Sequence, residues 1–184
     1  MTGQINVNKI AARTGNTITI DSGNKLTGTI VQMIQSNMTS RLLINSTSEV
    51  DVHTGTITPQ FADSKIIVSS DIAMIGRNTD SIRFGLQRNI AGGSFSLLTE
   101  KGGYMDDPSY WHRSDLVFEF IDTPNTTSAV IYKIVQQQQS AYNTYYNYAT
   151  SSAGFSSNND GRSGITMYEI AQWVRYLLIN LRTH

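Results

Sequence analysis

Apolar and polar positions alternate most clearly between Ser64 and Gly76. Ile66, Val68, Ser70, Ile72 and Met74 share one parity; Ile67, Ser69, Asp71, Ala73 and Ile75 share the other. Successive strand residues point to opposite faces, so the even set is expected to face a core. Turn residues bracket the segment, Pro59 to Ser64 before it and Gly76-Arg77-Asn78 after it. A helix would gather Ile66, Ile67, Ser70, Met74 and Ile75 into one stripe. The β-branched residues and the turn flanks favour a strand.

The same period recurs along the chain. Gly28–Gln35, Leu42–Asn45 and Val50–Thr58 read as strands before this one. After it, Thr79–Arg88 puts Ile82, Phe84 and Leu86 inward and Arg83, Gly85 and Gln87 outward, with Arg77-Asn78 predicting a hairpin to the 64–76 strand. Ser94–Leu98 is a short strand, and residues 99–113 read as a long polar loop. Asp115–Asp122 and Ser128–Gln136 predict a second hairpin through Thr123-Pro124-Asn125-Thr126. Tyr142–Ala149 follows, then a small-residue loop over Ser151–Asn159 and a last strand at Gly164–Ala171. Short strands at this spacing predict an all-β fold, an antiparallel β-sandwich of jelly-roll-like form over residues 28–171.

The two ends differ from this body. In residues 1–27 the pairs Ile5/Val7 and Ile18/Ile20 alternate briefly between the turn-forming stretches 13–16 and 21–24. Strands this short are marginal alone, so this N-terminal β attachment segment is expected to pair with other subunits or a larger assembly. In residues 172–184 the period changes. Ile170, Trp173, Val174, Leu177, Leu178 and Leu181 form a helical stripe, a possible C-terminal helix that needs its own sandwich or a neighbouring subunit to cover it. A final strand through Val174, Tyr176 and Ile179 remains open. Ile5, Val7, Ile18, Ile20, Trp173, Leu177 and Leu181 are the expected assembly residues.

Charge adds little direction. Fourteen Lys and Arg balance fourteen Asp and Glu, so nothing global draws the chain to nucleic acid or an acidic membrane. Cysteine is absent, which removes disulfides and thiolate chemistry. The start, Met1-Thr2-Gly3-Gln4-Ile5, lacks the basic and apolar regions of a signal peptide, and no window is long and apolar enough to span a membrane. Synthesis in the cytosol is expected.

Candidate chemistry is sparse. Tyr104-Met105-Asp106-Asp107 spells the metal-binding tetrad of reverse transcriptases, but that chemistry needs a palm domain and a further carboxylate, and the chain has neither the length nor the pattern for them. His53, His112 and His184 stand at no metal-ligand spacing and are expected at the surface or in loops. Asp160 lacks the acidic ladder of a calcium loop. Asp106, Asp107, Asp115 and Glu119 read as solvated carboxylates rather than a glycosidase pair. No metal, no cofactor and no catalytic residue is expected. The aromatic groups hold more interest. Tyr110, Trp111 and His112, with Tyr142, Tyr145 and Tyr146 among neutral amides and hydroxyls, suit sugar rings, or else fill a core or subunit seam. Gln136–Gln139 read as an exposed or intersubunit strand end.

Gln4-Ile5-Asn6-Val7-Asn8-Lys9-Ile10 running to Thr17-Ile18-Thr19-Ile20-Asp21-Ser22-Gly23 resembles the N-termini of bacteriophage tail-fibre and related virion proteins, marine ones in particular. Gly28-Thr29-Ile30-Val31-Gln32, Thr56-Ile57-Thr58-Pro59, Ser64–Val68 and Gly161–Ile170 extend that resemblance to residues 4–171. It implies a β-sandwich displayed on a virion, usually a homotrimer, with itself, other virion proteins and a host-surface glycan as partners. Relatives stop near Tyr168-Glu169-Ile170, so residues 172–184 depart from the pattern. The expected function is a non-enzymatic tail-fibre or tip protein supporting host attachment. The alternatives are a capsid decoration protein and, last, a polysaccharide depolymerase.

Overall fold

The computed structural model describes residues 30–76, 81–104, 112–147 and 163–172. Residues 1–27, Tyr110, Trp111, Asp160, the 151–159 loop and the 173–184 stripe lie outside the described residues. Among the described residues ten strands follow in order: β1 (Ile30–Asn37), β2 (Leu42–Ile44), β3 (Val50–Ile57), β4 (Lys65–Gly76), β5 (Ser81–Ile90), β6 (Ser96–Tyr104), β7 (His112–Asp122), β8 (Val130–Gln138), β9 (Thr144–Tyr146) and β10 (Gly164–Ile170).

They form two antiparallel sheets. In the first, β4 pairs β7 along one edge, while β10 and β9 share its other edge. β1 then flanks β10, and β2 flanks β9. The second sheet runs β3-β8-β5-β6. The expected sandwich is present, and its strand order is that of a jelly roll. Both predicted hairpins are corrected. β4 pairs nothing in β5, and β7 pairs nothing in β8, because each pair is divided between the sheets. Consecutive strands face each other across the core instead. β5 and β6 are the consecutive pair that does form a hairpin, where Asn89 Oδ1 accepts from Gly92 N and Gly92 takes a φ of 76°.

The even residues of β4 are all buried, as the alternation requires, with Ile66, Val68 and Ile72 at the centre. They meet Leu86, Tyr132 and Ile134 of the second sheet and Phe118 of β7 in one core. Gly85 points outward yet is buried, because Leu97 and Val135 close over it. β10 seats tightly against β1: a Cβ at Gly164 would lie 2.4 Å from Ser36 O, so this register admits only glycine there. The β1/β3 side of the sandwich is closed by side chains, with His53 Nε2 2.8 Å from Ser36 O and Gln32 Nε2 donating to Thr58 O at 2.7 Å. His53 is thus a strand residue of the seam rather than a loop histidine.

Two buried polar groups tie the sheets together. Asp122, ending β7, accepts from Arg88 of β5 and from the Tyr132 hydroxyl of β8, each at 2.7 Å. Tyr146 donates to Gln136 across the core. Burial pushes both phenols well above the ordinary tyrosine value, and at Tyr132 the Asp122 hydrogen bond and charge add to it while Arg88 opposes. The unfolded chain releases these protons near pH ~10 and the folded chain does not, so folding stability is fully present below that pH and lost above it. Alkaline unfolding is expected to begin there, with a slope approaching about 1.4 kcal/mol per pH unit for each tyrosine. Tyrosinate absorbance checks this: Tyr132 and Tyr146 should ionise only together with the loss of circular dichroism.

Candidate functional site

The two outer faces differ in chemistry. Outward residues of the second sheet carry a charged lattice in which Arg83 meets Glu49 and Glu100 at 3.4 Å and donates to Gln137 Oε1 at 2.7 Å. Lys133 meets Asp51 at 2.9 Å. The Arg83 pairs are about half exposed, so each adds little to stability. They do hold their side chains in place around an open groove.

That groove, of about 730 Å³, lies where β5 begins and β6 and β8 end. Ser81, Arg83, Glu100, Lys101, Gly102, Gly103, Gln137 and Gln139 contribute to its walls. Gly102 stands opposite Arg83 and Gly103 opposite Ile82. Glycine inside a strand weakens it and often marks the approach of a ligand. Internal packing does not demand either one: a Cβ would meet nothing closer than 3.9 Å at Gly102 or 3.7 Å at Gly103. The missing side chain of Gly102, which shares the outward face with Arg83, leaves a trough flanked by a guanidinium, a carboxylate and amides, while Gly103 turns toward the buried Ile82. Lys101 closes the rim, donating to Val117 O of the first sheet at 2.5 Å beside the Phe118 ring. Such a trough offers donors and acceptors to a neutral, hydroxyl-rich ligand.

No protein-family model matches this chain, and no curated protein matches it. Solved structures resemble it at a distance. The Eiger TNF structure from S. frugiperda is 11% identical with a TM-score of 0.40, over 77% of this chain and 92% of that one. The infectious bursal disease virus Gt strain structure is 8% identical with a TM-score of 0.40, over 86% of this chain. The VP2 subviral particle of that virus is 8% identical with a TM-score of 0.37. This chain spans 42% of the length of each of those two viral chains. Likenesses this slight assign no family.

The aromatic residues singled out from the sequence do not converge. Tyr142 is exposed, and its backbone N donates to Gln138 Oε1, which puts it beside the groove. Tyr145 is half-buried on the first sheet, with the Arg41 guanidinium 5.5 Å from its ring centroid. Tyr146 is fully buried and belongs to the core, so it presents nothing to a ligand. His112 opens β7 rather than sitting in a loop, and the loop read over 99–113 shrinks because β6 runs on to Tyr104. The glutamine run also needs correction: Gln136 and Gln138 are buried, Gln138 donating to Thr144 Oγ1 at 2.5 Å, while Gln137 and Gln139 face the groove. Sequence reasoning missed Arg83, Glu100 and the Gly102-Gly103 pair. The signal was two glycines in what proved to be a strand. Among the described residues no cluster of three or more His, Asp or Glu is placed to hold a metal ion.

Proposed function

We propose that this chain is a non-enzymatic structural protein of a virion, a component of a bacteriophage tail fibre or its tip that supports attachment to a host-surface glycan. The virion setting and the homotrimer rest on the sequence resemblance over residues 4–171. The attachment role rests on one observation, the trough left by Gly102 beside Arg83 where packing asks for no glycine. Its rim of Arg83, Glu100, Gln137 and Gln139 supplies hydrogen bonds in the fashion sugar hydroxyls use.

The test is a screen of the full chain against bacterial surface glycans, repeated with Gly102→Leu. The leucine fills the trough without a steric clash at its Cβ. Its expected result is loss of glycan binding by at least about tenfold, the equivalent of ~1.4 kcal/mol, with an unchanged melting temperature. A wild-type chain that binds no glycan would sink the attachment role. Release of sugar fragments would sink the non-enzymatic reading.

A capsid decoration role draws on a separate observation, the apolar outer face of the first sheet. There Ile30, Met33 and Ile121 are each more than half exposed. Stoichiometric binding to assembled shells, with no glycan bound, favours that role.

A further inference from the structure

The register of the first sheet builds an apolar row that the sandwich leaves uncovered. Ile121 of β7, Ile67 of β4, Tyr168 of β10 and Met33 of β1 stand side by side on the outer face. Ile170 and Ile30 extend the row at its β10/β1 end. Ile121 is 60% exposed, Met33 57% and Ile30 61%. Contiguous apolar surface of this kind marks a contact site.

We propose that residues 173–184 of the same chain cover this row, lying across the first sheet as an amphipathic helix. Three observations point to that occupant. The first is position: β10 carries Tyr168 and Ile170 on this face, and only Ala171 and Gln172 separate Ile170 from the segment, so it begins beside the end of the row. The second is length. Four strands spaced ~4.8 Å apart span about 14 Å, and the twelve residues 173–184 as a helix span about 18 Å. Leu177 lies four residues into such a helix, about 6 Å of rise, and residues 171–172 before it reach up to about 7 Å more. That is enough to cover the two strand spacings, about 10 Å, from β10 to β7 and Ile121. The third is charge. Glu119 stands two residues along β7 from Ile121, with Asp71 and Asp115 farther along the same face, all exposed, and Lys65 opposite Ile170. The segment carries Arg175 and Arg182 and no Asp or Glu.

On this geometry Trp173, Val174, Leu177, Leu178 and Leu181 meet the row, while Arg175 and Arg182 lie toward its acidic margin. Trp173, Leu177 and Leu181 then serve packing within one chain rather than contact between subunits. The proposal is independent of the glycan groove, which lies on the opposite sheet, so either can fail without the other.

The absence of cysteine makes a direct test possible. Ile121→Cys with Leu177→Cys in the full chain, mildly oxidised, is expected to form an intrachain disulfide seen as a faster-migrating monomer on non-reducing electrophoresis. The control pair Leu97→Cys with Leu177→Cys, reaching for the outer face of the second sheet, is expected to form none. Disulfide-linked dimers from the first pair would show that the segment docks on a second copy, and would overturn the proposal. Equal crosslinking in both pairs, or none in either, would overturn it too. A second readout avoids the cysteines. In Trp111→Phe protein, Trp173 emission is expected to be blue-shifted and to move red on adding Ile121→Glu, at a position exposed enough to leave folding intact. Emission already at the solvent-exposed wavelength, or unmoved by Ile121→Glu, would overturn the proposal.

Discussion

Asp122→Ala is expected to lower the free energy of unfolding by about 3–5 kcal/mol, the range for removing one partner of a buried ion pair. The side chain is 7% exposed, and its two oxygens take the Arg88 guanidinium and the Tyr132 hydroxyl at 2.7 Å and Thr123 N at 2.8 Å. Alanine leaves all three donors without their acceptor, two of them on the opposite sheet. The fully buried Tyr132 hydroxyl has no route to water. Asp122→Asn keeps one acceptor oxygen and should lose roughly half as much. A contrast is available on the surface, where Glu100→Ala removes a pair whose partners are about half exposed and should cost no more than about 1 kcal/mol. Urea unfolding measures all three. If Asp122→Ala cost no more than Glu100→Ala, the clasp between the sheets would not be a stabilising feature.

Glu169→Ala is expected to cost about 1–3 kcal/mol, the scale of hydrogen bonds to a charged acceptor, because its three part-buried donors lose their carboxylate. Glu169 points inward from β10 and is fully buried. Its carboxylate accepts from Gln60 N at 2.9 and 3.0 Å, from Phe61 N at 3.1 Å and from Gln32 Nε2 at 2.7 Å. Gln60 and Phe61 lie in the connection that carries the chain from β3 in one sheet to β4 in the other. Losing the carboxylate should therefore loosen that crossover before the rest of the fold. Hydrogen exchange locates the effect: the amides of Gln60 and Phe61 should lose protection, while those of β5 and β8 keep theirs. Uniform loss across both sheets would argue that Glu169 supports the global fold and not the crossover.

The candidate site was only partly legible. Gly102 and Gly103 were visible as a pair, but they read as loop chemistry until β6 was found to continue through them to Tyr104. Arg83 was read correctly as outward-facing, yet nothing in β5 says that β6 and β8 will flank it and make a groove. Tyr146 went the other way. A tyrosine among asparagines reads equally well as a ligand contact or as core, and the choice depends on whether Gln136 waits for its hydroxyl across the sandwich. Gln136 itself looked like part of an exposed polar run. Its parity with Val130, Tyr132 and Ile134 was the sign that it faces inward.

What the sequence determined by itself was the fold class, most strand positions and the inward sets of β4, β5, β7 and β8. The reason is local: a two-residue period sorts side chains between two faces whatever lies beyond them, so Ile66, Val68, Ile72, Phe118 and Leu116 were identifiable before any partner was known. Only the tertiary structure decided which strands pair. Periodicity buries the same residues of β4 and β5 whether the two form a hairpin or face each other across a core, and likewise for β7 and β8. The distinction lies in contacts between distant residues, Asp122 with Arg88 and Tyr132, Glu169 with Gln60, Gly164 against Ser36. Those partners are 10 to 128 positions apart, and no local pattern encodes them. The groove at Gly102 and the apolar row from Ile121 to Met33 follow from that pairing, because each is assembled across strands that only the jelly roll brings together.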